Sequence, residues 1–390
     1  MNILFLFMTG SKGFGGHHVS THELMIAFRK LGHECSLISF GKLPSIVFRS
    51  DESAFNFIIS PFDFSKLKKL RMFIKAKSFD VYFPMDETAC RILCTVYPKA
   101  LSRMIPIKPG WKNVSSWINL TKDFICFSKE NVDYMRSLKK YDKVNVHLIP
   151  NRVSTVIPDE NRINNFRETY HVDEDDFVIF AISRIDPDKT SVFYSAIELS
   201  ELFIEQGLKV RLFFIGIVSS EETLHQLSSI QINNLEIVSD ERYTCDVSHI
   251  LKAANVIVSM GRTSMESLSQ SVPTFVPHKR SEIPVLIDPD SFECLLESNF
   301  TYRSIISDEV VRKNYHKIKN IISDYSYISK QSKSLFDKYL NVEMGIKEYE
   351  RIALEQMNNS RCIFKEFRAC IYSYMRWSVS YLLKKHKQSK

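Results

Sequence analysis

The feature that most constrains the fold is an apolar run followed at once by a glycine-rich loop at the start of the chain. Residues 2–8 are almost all apolar, as expected of a strand buried on both faces. Four of the 11 glycines in the chain, Gly10, Gly13, Gly15 and Gly16, then lie within seven residues. A helical pattern and a second apolar run come next. This order predicts a strand–loop–helix–strand unit.

The helical pattern after the loop has one apolar face. Leu24 and Phe28 lie on that face, and Gly32 marks its end. Ser20 and Glu23 have the spacing of a capping box, which predicts that the helix begins near Ser20.

The alternation of short apolar runs and helical patterns continues along the chain. Further predicted strands are residues 35–40, 55–59, 81–84, 124–127, 177–183, 209–217, 235–238, 255–259 and 274–276. A polar stretch at residues 150–174 predicts a linker between two such series. The predicted fold class is therefore α/β, with two Rossmann-like doubly wound domains at residues 1–155 and 170–345 and a C-terminal helical segment at residues 346–390.

Composition and charge indicate a globular protein without a membrane-spanning helix. Apolar residues make up 44% of the chain and charged residues 25%, which is typical of a globular protein. The net charge of +7 favours anionic partners, such as phosphates or a lipid surface, without requiring nucleic acid. No apolar run reaches the length of about 18 residues that a membrane-spanning helix needs. The eight scattered cysteines and the lack of a signal-peptide pattern predict reduced thiols and a cytoplasmic location.

The glycine loop is compared with two phosphate-binding motifs. A P-loop requires a lysine after the second glycine, but Gly16 follows Gly15. A nicotinamide-binding fingerprint from Gly13 requires a third glycine where His18 stands. Two interpretations stay open: an ordinary glycine-rich turn, or a loop that lets another molecule approach closely. Its position after the first strand favours the second.

Two motifs in the second half of the chain carry most of the functional information. The segment "SRIDPDK" puts Arg184 and Lys189 just past the carboxyl end of a predicted strand. The segment "VSMGRTSMESLSQSVPTFV" places Gly261, Glu266 and Pro273 across a strand, turn, helix and strand. In this order, and together with the glycine loop, these segments make the chain resemble glycosyltransferases of the GT-B fold, in particular the large retaining group called family 4. The resemblance extends from the first strand to Pro273.

The resemblance implies an architecture and an activity. Family members have two facing Rossmann-like domains with a nucleotide sugar in the cleft. The first domain would hold the acceptor and the second the donor, and the C-terminal helix often packs back on the first domain. The nucleotide sugar is a substrate, so no cofactor and no metal are expected.

The resemblance also implies roles for residues of the second domain. Arg184 and Lys189 would stabilise the charge that builds on the leaving diphosphate, because preorganised donors there lower the barrier. The alternative is a pair of solvated loop cations. Glu266 would accept hydrogen bonds from the ribose hydroxyls, and Gly261 and Thr263 would form a phosphate site at a helix N-terminus. The alternative for Glu266 is a capping box with Thr263.

In the first domain, the resemblance implies that Gly15 and Gly16 let the loop approach the donor and the acceptor. Three positions depart from the family pattern. Val258 stands at the first position of the motif Glu-x7-Glu, and Met85 stands where a histidine is frequent. Ser271 replaces a common glycine. His17 or His18 are candidates to substitute for the missing histidine, although a structural role is the alternative.

Two Asp-Pro-Asp segments resemble a metal-binding motif. Asp186 and Asp188 form one, and Asp288 and Asp290 form the other. Paired carboxylates bind divalent cations, but this motif belongs to glycosyltransferases of another fold, and acidic turns with proline are common. The sequence therefore predicts an enzyme without a catalytic metal.

Two basic stretches suggest contact with a membrane. Residues 65–77, from Ser65 to Lys77, carry an apolar stripe of Leu67, Leu70 and Ile74 among six cations. The C-terminal helix combines aromatic residues with lysines and arginines. Both have the composition of interfacial helices. The alternative is a helix with one face in the core and a solvated back, and packing is favoured for the C-terminal helix.

Together these patterns predict a cytoplasmic, metal-independent glycosyltransferase that is peripheral on the inner face of the cell membrane and binds no nucleic acid. It would move a sugar, with retention, from a nucleotide sugar to a glycan or lipid-linked acceptor in cell-envelope polysaccharide biosynthesis. Two alternatives stay open: a nucleotide-sugar epimerase of the same fold, and a catalytically silent subunit that binds a partner enzyme.

Overall fold

The computed structural model describes residues 1–9, 15–110, 119, 121–358 and 362–388. The chain divides into two compact units, Arg152–Asn341 and a unit that combines Met1–Asn151 with Val342–Lys390. The division therefore falls four residues before the predicted end of the first domain at residue 155. The C-terminal segment predicted at residues 346–390 begins at Val342 and belongs to the same unit as the N-terminal part of the chain.

The N-terminal part of the first unit contains two parallel sheets. Its strands are β1 (Asn2–Met8), β2 (Glu34–Phe40), β3 (Ala54–Phe57), β4 (Val81–Pro84), β5 (Ile107–Lys108), β6 (Asp123–Cys126) and β7 (Asn145–Leu148). Its helices are α1 (Gly16–Lys30), α2 (Phe64–Lys77), α3 (Glu87–Val96) and α4 (Lys129–Arg136). The strand orders are β3-β2-β1-β4 and β5-β6-β7.

The first strand is confirmed at the predicted residues. β1 pairs in parallel with β2 on one side and with β4 on the other, and its residues 3–7 are buried. A strand with neighbours on both sides and packing on both faces needs apolar residues throughout. The prediction that Ser20 and Glu23 form a capping box at the start of the next helix was wrong. Helix α1 begins at Gly16, and both residues are buried inside it.

The second unit is built on one six-stranded sheet. Its strands are β8 (Phe177–Ile182), β9 (Val210–Ile215), β10 (Leu235–Val238), β11 (Val256–Ser259), β12 (Thr274–His278) and β13 (Ser281–Leu286). Its helices are α5 (Glu160–Thr169), α6 (Thr190–Glu205), α7 (Glu221–Ser228), α8 (Glu241–Thr244), α9 (Arg262–Ser269), α10 (Phe292–Glu297), α11 (Asp308–Lys319) and α12 (Tyr325–Leu335). The order is β10-β9-β8-β11-β12-β13, parallel except for the β12–β13 pair.

The predicted linker at residues 150–174 was wrong in part, because it contains α5. Asp159 caps this helix by accepting a hydrogen bond from the Arg162 N–H, 3.1 Å away. Ile163 and Phe166 are buried, and the Phe166 ring packs 5.1 Å from the Phe180 ring of β8. Two buried residues on an otherwise polar helix are enough to attach it to the second unit.

Two helices complete the first unit, α13 (Val342–Met357) and α14 (Ile363–Gln388). Ile346 and Ile352 of α13 enter the core around β1. Ala369 and Trp377 of α14 are buried in the core that includes α3. The packing that the sequence favours for the C-terminal helix is present on this face of α14.

The apolar stripe on residues 65–77 faces the protein core. Leu70 and Ile74 are fully buried and Leu67 is partly buried, while the six cations of α2 are exposed. Of the two interpretations that the sequence left open for this stripe, the structure shows the core-facing one, because the first unit uses the stripe for packing. In the described part of the chain, no helix is both long and apolar enough to cross a bilayer.

Candidate functional site

The candidate donor site lies where the strand order of the second unit reverses. From β8 the chain proceeds outward to β9 and β10, then returns to β11 on the other side of β8. In open parallel sheets, ligands bind at this point, outside the carboxyl ends of the strands. The loops after β8 and β11 therefore meet at the same edge, and they contain the two motifs singled out in the sequence.

The loop after β8 is held firmly in place. The Ile185 N–H donates to the Ile217 carbonyl at 3.0 Å, so this loop is tied to the loop after β9. Gly216 lies against the Ser183 carbonyl so closely that a Cβ would sit 1.7 Å from its oxygen. A larger residue at position 216 would push the two loops apart. The loop then passes through a short 3-10 helix, Pro187–Lys189, into α6.

Three cations converge on this loop. Arg184 is exposed and Lys189 is half-buried. Burial lowers the pKa of Lys189, and the positive charges of Arg184 and Arg303 lower it further, although Asp186 and Asp188 act in the opposite direction. Arg184 and Lys189 therefore lie close enough for their charges to interact. Arg303 was missed, because nothing in its sequence context links it to this loop.

The turn after β11 brings Arg303 to the site. Gly261 has φ of +66°, a left-handed conformation that favours glycine. Its N–H donates to the Phe300 carbonyl at 2.8 Å, which ties the segment before Arg303 to the turn. Thr263 lies in the first turn of α9, partly exposed. The N-terminus of α9 is therefore available to a phosphate, since its first N–H groups have no partner within the helix.

Glu266 is not part of a capping box. Gly261 is the N-cap of α9 and no side chain caps the helix, so Thr263 and Glu266 both lie beyond the cap position. Glu266 is buried, and its Oε1 atom lies 2.7 Å from Nε of Arg262, one helical turn earlier. This ion pair was missed in the sequence, although a spacing of four residues is typical of such pairs.

A cavity of about 930 Å³ opens where the loop after β8 enters α6. It is bounded by the start of α6 and by the β12–β13 turn, and its lining includes Asp188, Thr190, Tyr194, His278, Arg280 and Tyr302. The size is within the range of about 300–1,000 Å³ that is usual for small-molecule sites. Its lining does not include Arg184, Lys189 or Glu266, so the cavity shows space beside the start of α6 and does not by itself locate the donor.

The three departures from the family pattern have clear positions in the structure. Val258 is fully buried in β11, and Met85 is fully buried after β4. Ser271 follows α9 with φ of +63°, in the left-handed region where glycine is common. Val258 and Met85 supply packing at positions where the family pattern has an acid and a histidine.

The first unit has a reversal of strand order of its own, between β1 and β4. Gly15 and Gly16 follow β1 there, while Gly10 and Gly13 lie outside the described residues. A Cβ on Gly15 would sit 3.2 Å from the His17 ring, and one on Gly16 would meet no atom within 4 Å. Gly15 thus leaves room for the His17 ring, and Gly16 lies beside open space.

Asp86 and His17 form a polar pair at the same edge of the first unit. Asp86 accepts hydrogen bonds from the Met8 N–H at 2.5 Å and the Ala89 N–H at 2.9 Å. Burial raises the pKa of Asp86, and these N–H groups and His17 oppose that shift. Burial lowers the pKa of His17, which favours the neutral ring. His17 is one of the two candidates to substitute for the histidine of the family pattern, and its interaction with Asp86 shows that its ring lies near the end of β4, where Met85 stands.

The Asp-Pro-Asp segments have structural roles in the second unit. The Lys317 ammonium pairs with the carboxylates of Asp288 and Asp290. Asp186 caps the 3-10 helix by accepting from the Asp188 N–H at 3.1 Å.

Among the described residues, the one acidic group with the spacing of a metal site consists of Asp173, Asp175 and Asp176. Lys209 Nζ lies 2.7 Å, 3.1 Å and 3.0 Å from their oxygens, respectively, so an ammonium is already paired with all three carboxylates.

Solved structures of glycosyltransferases match nearly the whole chain. A glycosyltransferase from Rickettsia africae ESF-5 is 13% identical with a TM-score of 0.66, over 92% of this chain and 100% of that one. HepE from Anabaena, solved in complex with UDP, is 12% identical with a TM-score of 0.62, over 91% and 100%. The pneumococcal O-GlcNAc transferase GtfA, solved with UDP and GlcNAc, is 10% identical with a TM-score of 0.59, over 92% and 99%.

No protein-family model and no curated protein matches the sequence. At identities this low, the structural similarity establishes the fold. The predicted fold is thereby confirmed: the chain has the GT-B fold of these glycosyltransferases.

Proposed function

We propose that the protein is a retaining, metal-independent glycosyltransferase that moves a sugar from a nucleotide sugar to a glycan or lipid-linked acceptor in cell-envelope polysaccharide biosynthesis. The observation that carries the proposal is the convergence of Arg184, Lys189 and Arg303 with the N-terminus of α9, where the strand order reverses. HepE and GtfA were solved with UDP. UDP sugars are therefore the first donors to test.

The cations suit the chemistry of a departing nucleoside diphosphate. As the bond between the sugar and the diphosphate breaks, negative charge builds on the leaving phosphate oxygens. Arg184 offers two parallel N–H groups and Lys189 a compact ammonium, and both follow β8 on a loop whose backbone is fixed by hydrogen bonds to the loop after β9. The repulsion that lowers the pKa of Lys189 is relieved when an anion binds between the cations. Binding and transfer would therefore depend on the same side chains.

Alanine substitution tests these assignments directly. Arg184→Ala and Lys189→Ala should each weaken nucleoside diphosphate binding and slow transfer, with a loss of about 2–4 kcal/mol in the transition state. Arg242→Ala is the matched control, since Arg242 is an exposed arginine of the second unit paired with Asp240. Full activity in both alanine variants would reject the site.

Glu266 is proposed to bind the ribose, and Gly261 and Thr263 to present backbone N–H groups to the phosphates. Gly15 and Gly16 are proposed to let substrates approach the first unit, and the open space beside Gly16 supports this.

The peripheral membrane position also stays a proposal, with the exposed cations of α2 as its support.

A catalytically silent subunit is the second candidate. Val258 and Met85, both fully buried, stand where the family pattern has a glutamate and a histidine. GtfA has also been solved as a GtfA/B complex. Release of nucleoside diphosphate by the purified chain with donor and acceptor would exclude a silent subunit, and product analysis without acceptor would reveal an epimerase.

A further inference from the structure

Helix α14 carries an apolar stripe on the face opposite to its packed face. Ala369, Ser373 and Trp377 are buried and mark the packed face, which lies in the core with α3. On the other side, a set of apolar side chains recurs every three or four residues, and each is between 43% and 67% exposed: Phe364, Phe367, Ile371, Met375, Val379 and Leu382. At 1.5 Å per residue, this stripe is about 27 Å long.

The exposed charges on α14 itself have one sign. The exposed cations of the helix are Lys365, Arg368, Arg376, Lys384 and Lys385. The acidic residue of the helix, Glu366, is buried. The stripe is therefore flanked by positive charge along its length, with no exposed carboxylate on the same helix to balance it.

Helix α2 adds its cations to the same side of the first unit. The Phe62 ring, just before α2, contacts the Tyr381 ring of α14 with centroids 6.1 Å apart. The charge of Arg71 on α2 also reaches Cys370 on α14, where it lowers the thiol pKa against a larger effect of burial. Helices α2 and α14 are therefore neighbours in the first unit. The apolar stripe of α2 is buried, whereas the apolar stripe of α14 is exposed.

A group of cations lies beside the middle of the stripe. Burial lowers the pKa of Lys140, and the charges of Arg376 and Arg91 lower it further. Lys140 Nζ also lies 4.7 Å from the centre of the Tyr141 ring. Arg91 is already paired with Glu87, so Lys140 and Arg376 are the cations of this group that an anionic headgroup would stabilise.

We propose that the exposed stripe of α14 lies in the surface of an anionic lipid bilayer, with its cations at the depth of the headgroups. An interfacial helix has an apolar face that is rich in aromatic residues and flanked by lysines and arginines, as α14 has. A second copy of the chain fits less well, because pairing two such stripes would bring two rows of cations together. The proposal requires neither the donor site nor any particular acceptor.

The test is flotation of the full chain with vesicles. One set of vesicles contains phosphatidylglycerol and phosphatidylcholine, and the other set contains phosphatidylcholine alone. Flotation with each set is measured at low and at high salt. The stripe variant carries Phe367→Ser, Ile371→Ser and Met375→Ser. The matched control carries Met344→Ser and Leu354→Ser, two exposed apolar positions on α13 of the same unit. Melting temperatures and sedimentation velocity establish folding and oligomeric state.

Wild type and the α13 control should float with the anionic vesicles only, and the stripe variant should stay behind at both salt concentrations. A further variant, Lys365→Gln, Arg368→Gln and Lys384→Gln, should bind roughly a hundredfold more weakly at low salt. Equal flotation of the stripe variant and wild type overturns the proposal. A second outcome also overturns the proposal: the wild type does not bind anionic vesicles but forms a dimer, and the stripe variant does not form that dimer. A second copy of the chain would then cover the stripe. Nucleotide binding, measured separately, stays intact in either case.

Discussion

Lys189 connects the electrostatics of the donor site to a measurable pH dependence. Its pKa lies below that of an ordinary lysine, because of burial and the charges of Arg184 and Arg303. As pH rises through this lowered pKa, the ammonium is lost while ordinary lysines keep their charge. Nucleoside diphosphate affinity should therefore fall with rising pH in the alkaline range. Lys189→Arg should flatten this dependence, because arginine keeps its charge.

Titration calorimetry across the alkaline range measures this effect, with the nucleoside diphosphate fully ionised throughout. The same slope in wild type and in Lys189→Arg would mean that another group titrates. The assignment of Lys189 to the diphosphate would then be wrong.

Glu266 has two candidate partners, a ribose and Arg262. Glu266→Gln removes the charge that accepts from ribose hydroxyls, whereas Arg262→Gln breaks the same ion pair and keeps the carboxylate. Each variant leaves one partner of a buried pair without its opposite charge, so both should lower Tm. Ribose binding predicts that Glu266→Gln loses about tenfold or more in nucleotide affinity, while Arg262→Gln loses less. Equal losses, measured by titration, would show that Glu266 only holds Arg262.

Ser271 predicts a gain in stability. The Ser271 N–H donates to Leu268 and the Val272 N–H to Ser267, both at 3.1 Å, which forms a Schellman motif after α9. Ser271 takes the left-handed conformation there, where a Cβ is unfavourable. Ser271→Gly should raise the free energy of unfolding by about 1 kcal/mol in denaturant titration, whereas Ser271→Ala should not. A glycine variant no more stable than the alanine variant would refute this account.

At the residue scale, the sequence predicted positions better than contacts. Arg184 and Lys189 could be found because they follow a strand in one short motif, and the sheet edge then determines where they lie. Arg303 could not be found in the same way. It lies near Lys189 because a hydrogen bond between Gly261 and Phe300, which are far apart in the chain, holds the segment before Arg303 at the turn after β11. The capping box between Thr263 and Glu266 was suggested by their spacing, and only the N-cap at Gly261 excludes it.

At the scale of elements, patterns predicted strands well and amphipathic helices less well. β1, β4 and β10 lie at the predicted residues, because a buried parallel strand must be apolar throughout. α5 was missed because only two of its residues enter the core. The apolar stripe of α2 and the exposed apolar stripe of α14 have similar patterns in the sequence. The first is buried and the second is exposed, because burial depends on what packs against the helix.

Helix α2 should contribute to membrane binding through charge alone, because its apolar stripe is in the core. Lys68→Gln, Lys69→Gln and Arg71→Gln together should weaken binding to anionic vesicles at low salt, by about 1 kcal/mol for each cation. At high salt the variant and wild type should bind alike, because exposed charges are screened within about 8–10 Å. Transfer to a soluble acceptor analogue should stay intact. Co-sedimentation at two salt concentrations tests this, and equal binding at low salt would make α2 a solvated face.

At the scale of the whole molecule, two doubly wound units each place their candidate site residues where the strand order reverses. The second unit has cations and a helix N-terminus at that point, and the first has Gly15, Gly16, His17 and Asp86. The alternation of strands and helices was sufficient to predict this architecture. The base, the sugar and the acceptor could not be predicted, because they depend on side-chain contacts that no sequence pattern in this chain specifies.

The central claim is that a nucleotide sugar binds at the reversal of strand order in the second unit. Isothermal titration of the full chain with a panel of nucleoside diphosphates and their sugars tests it most directly, with the double variant Arg184→Ala, Lys189→Ala and the control Arg242→Ala beside wild type. We expect at least one nucleotide to bind wild type and the control equally, and to lose at least a hundredfold in affinity for the double variant. Binding that the double variant retains, or no binding of any nucleotide to wild type, would contradict the claim.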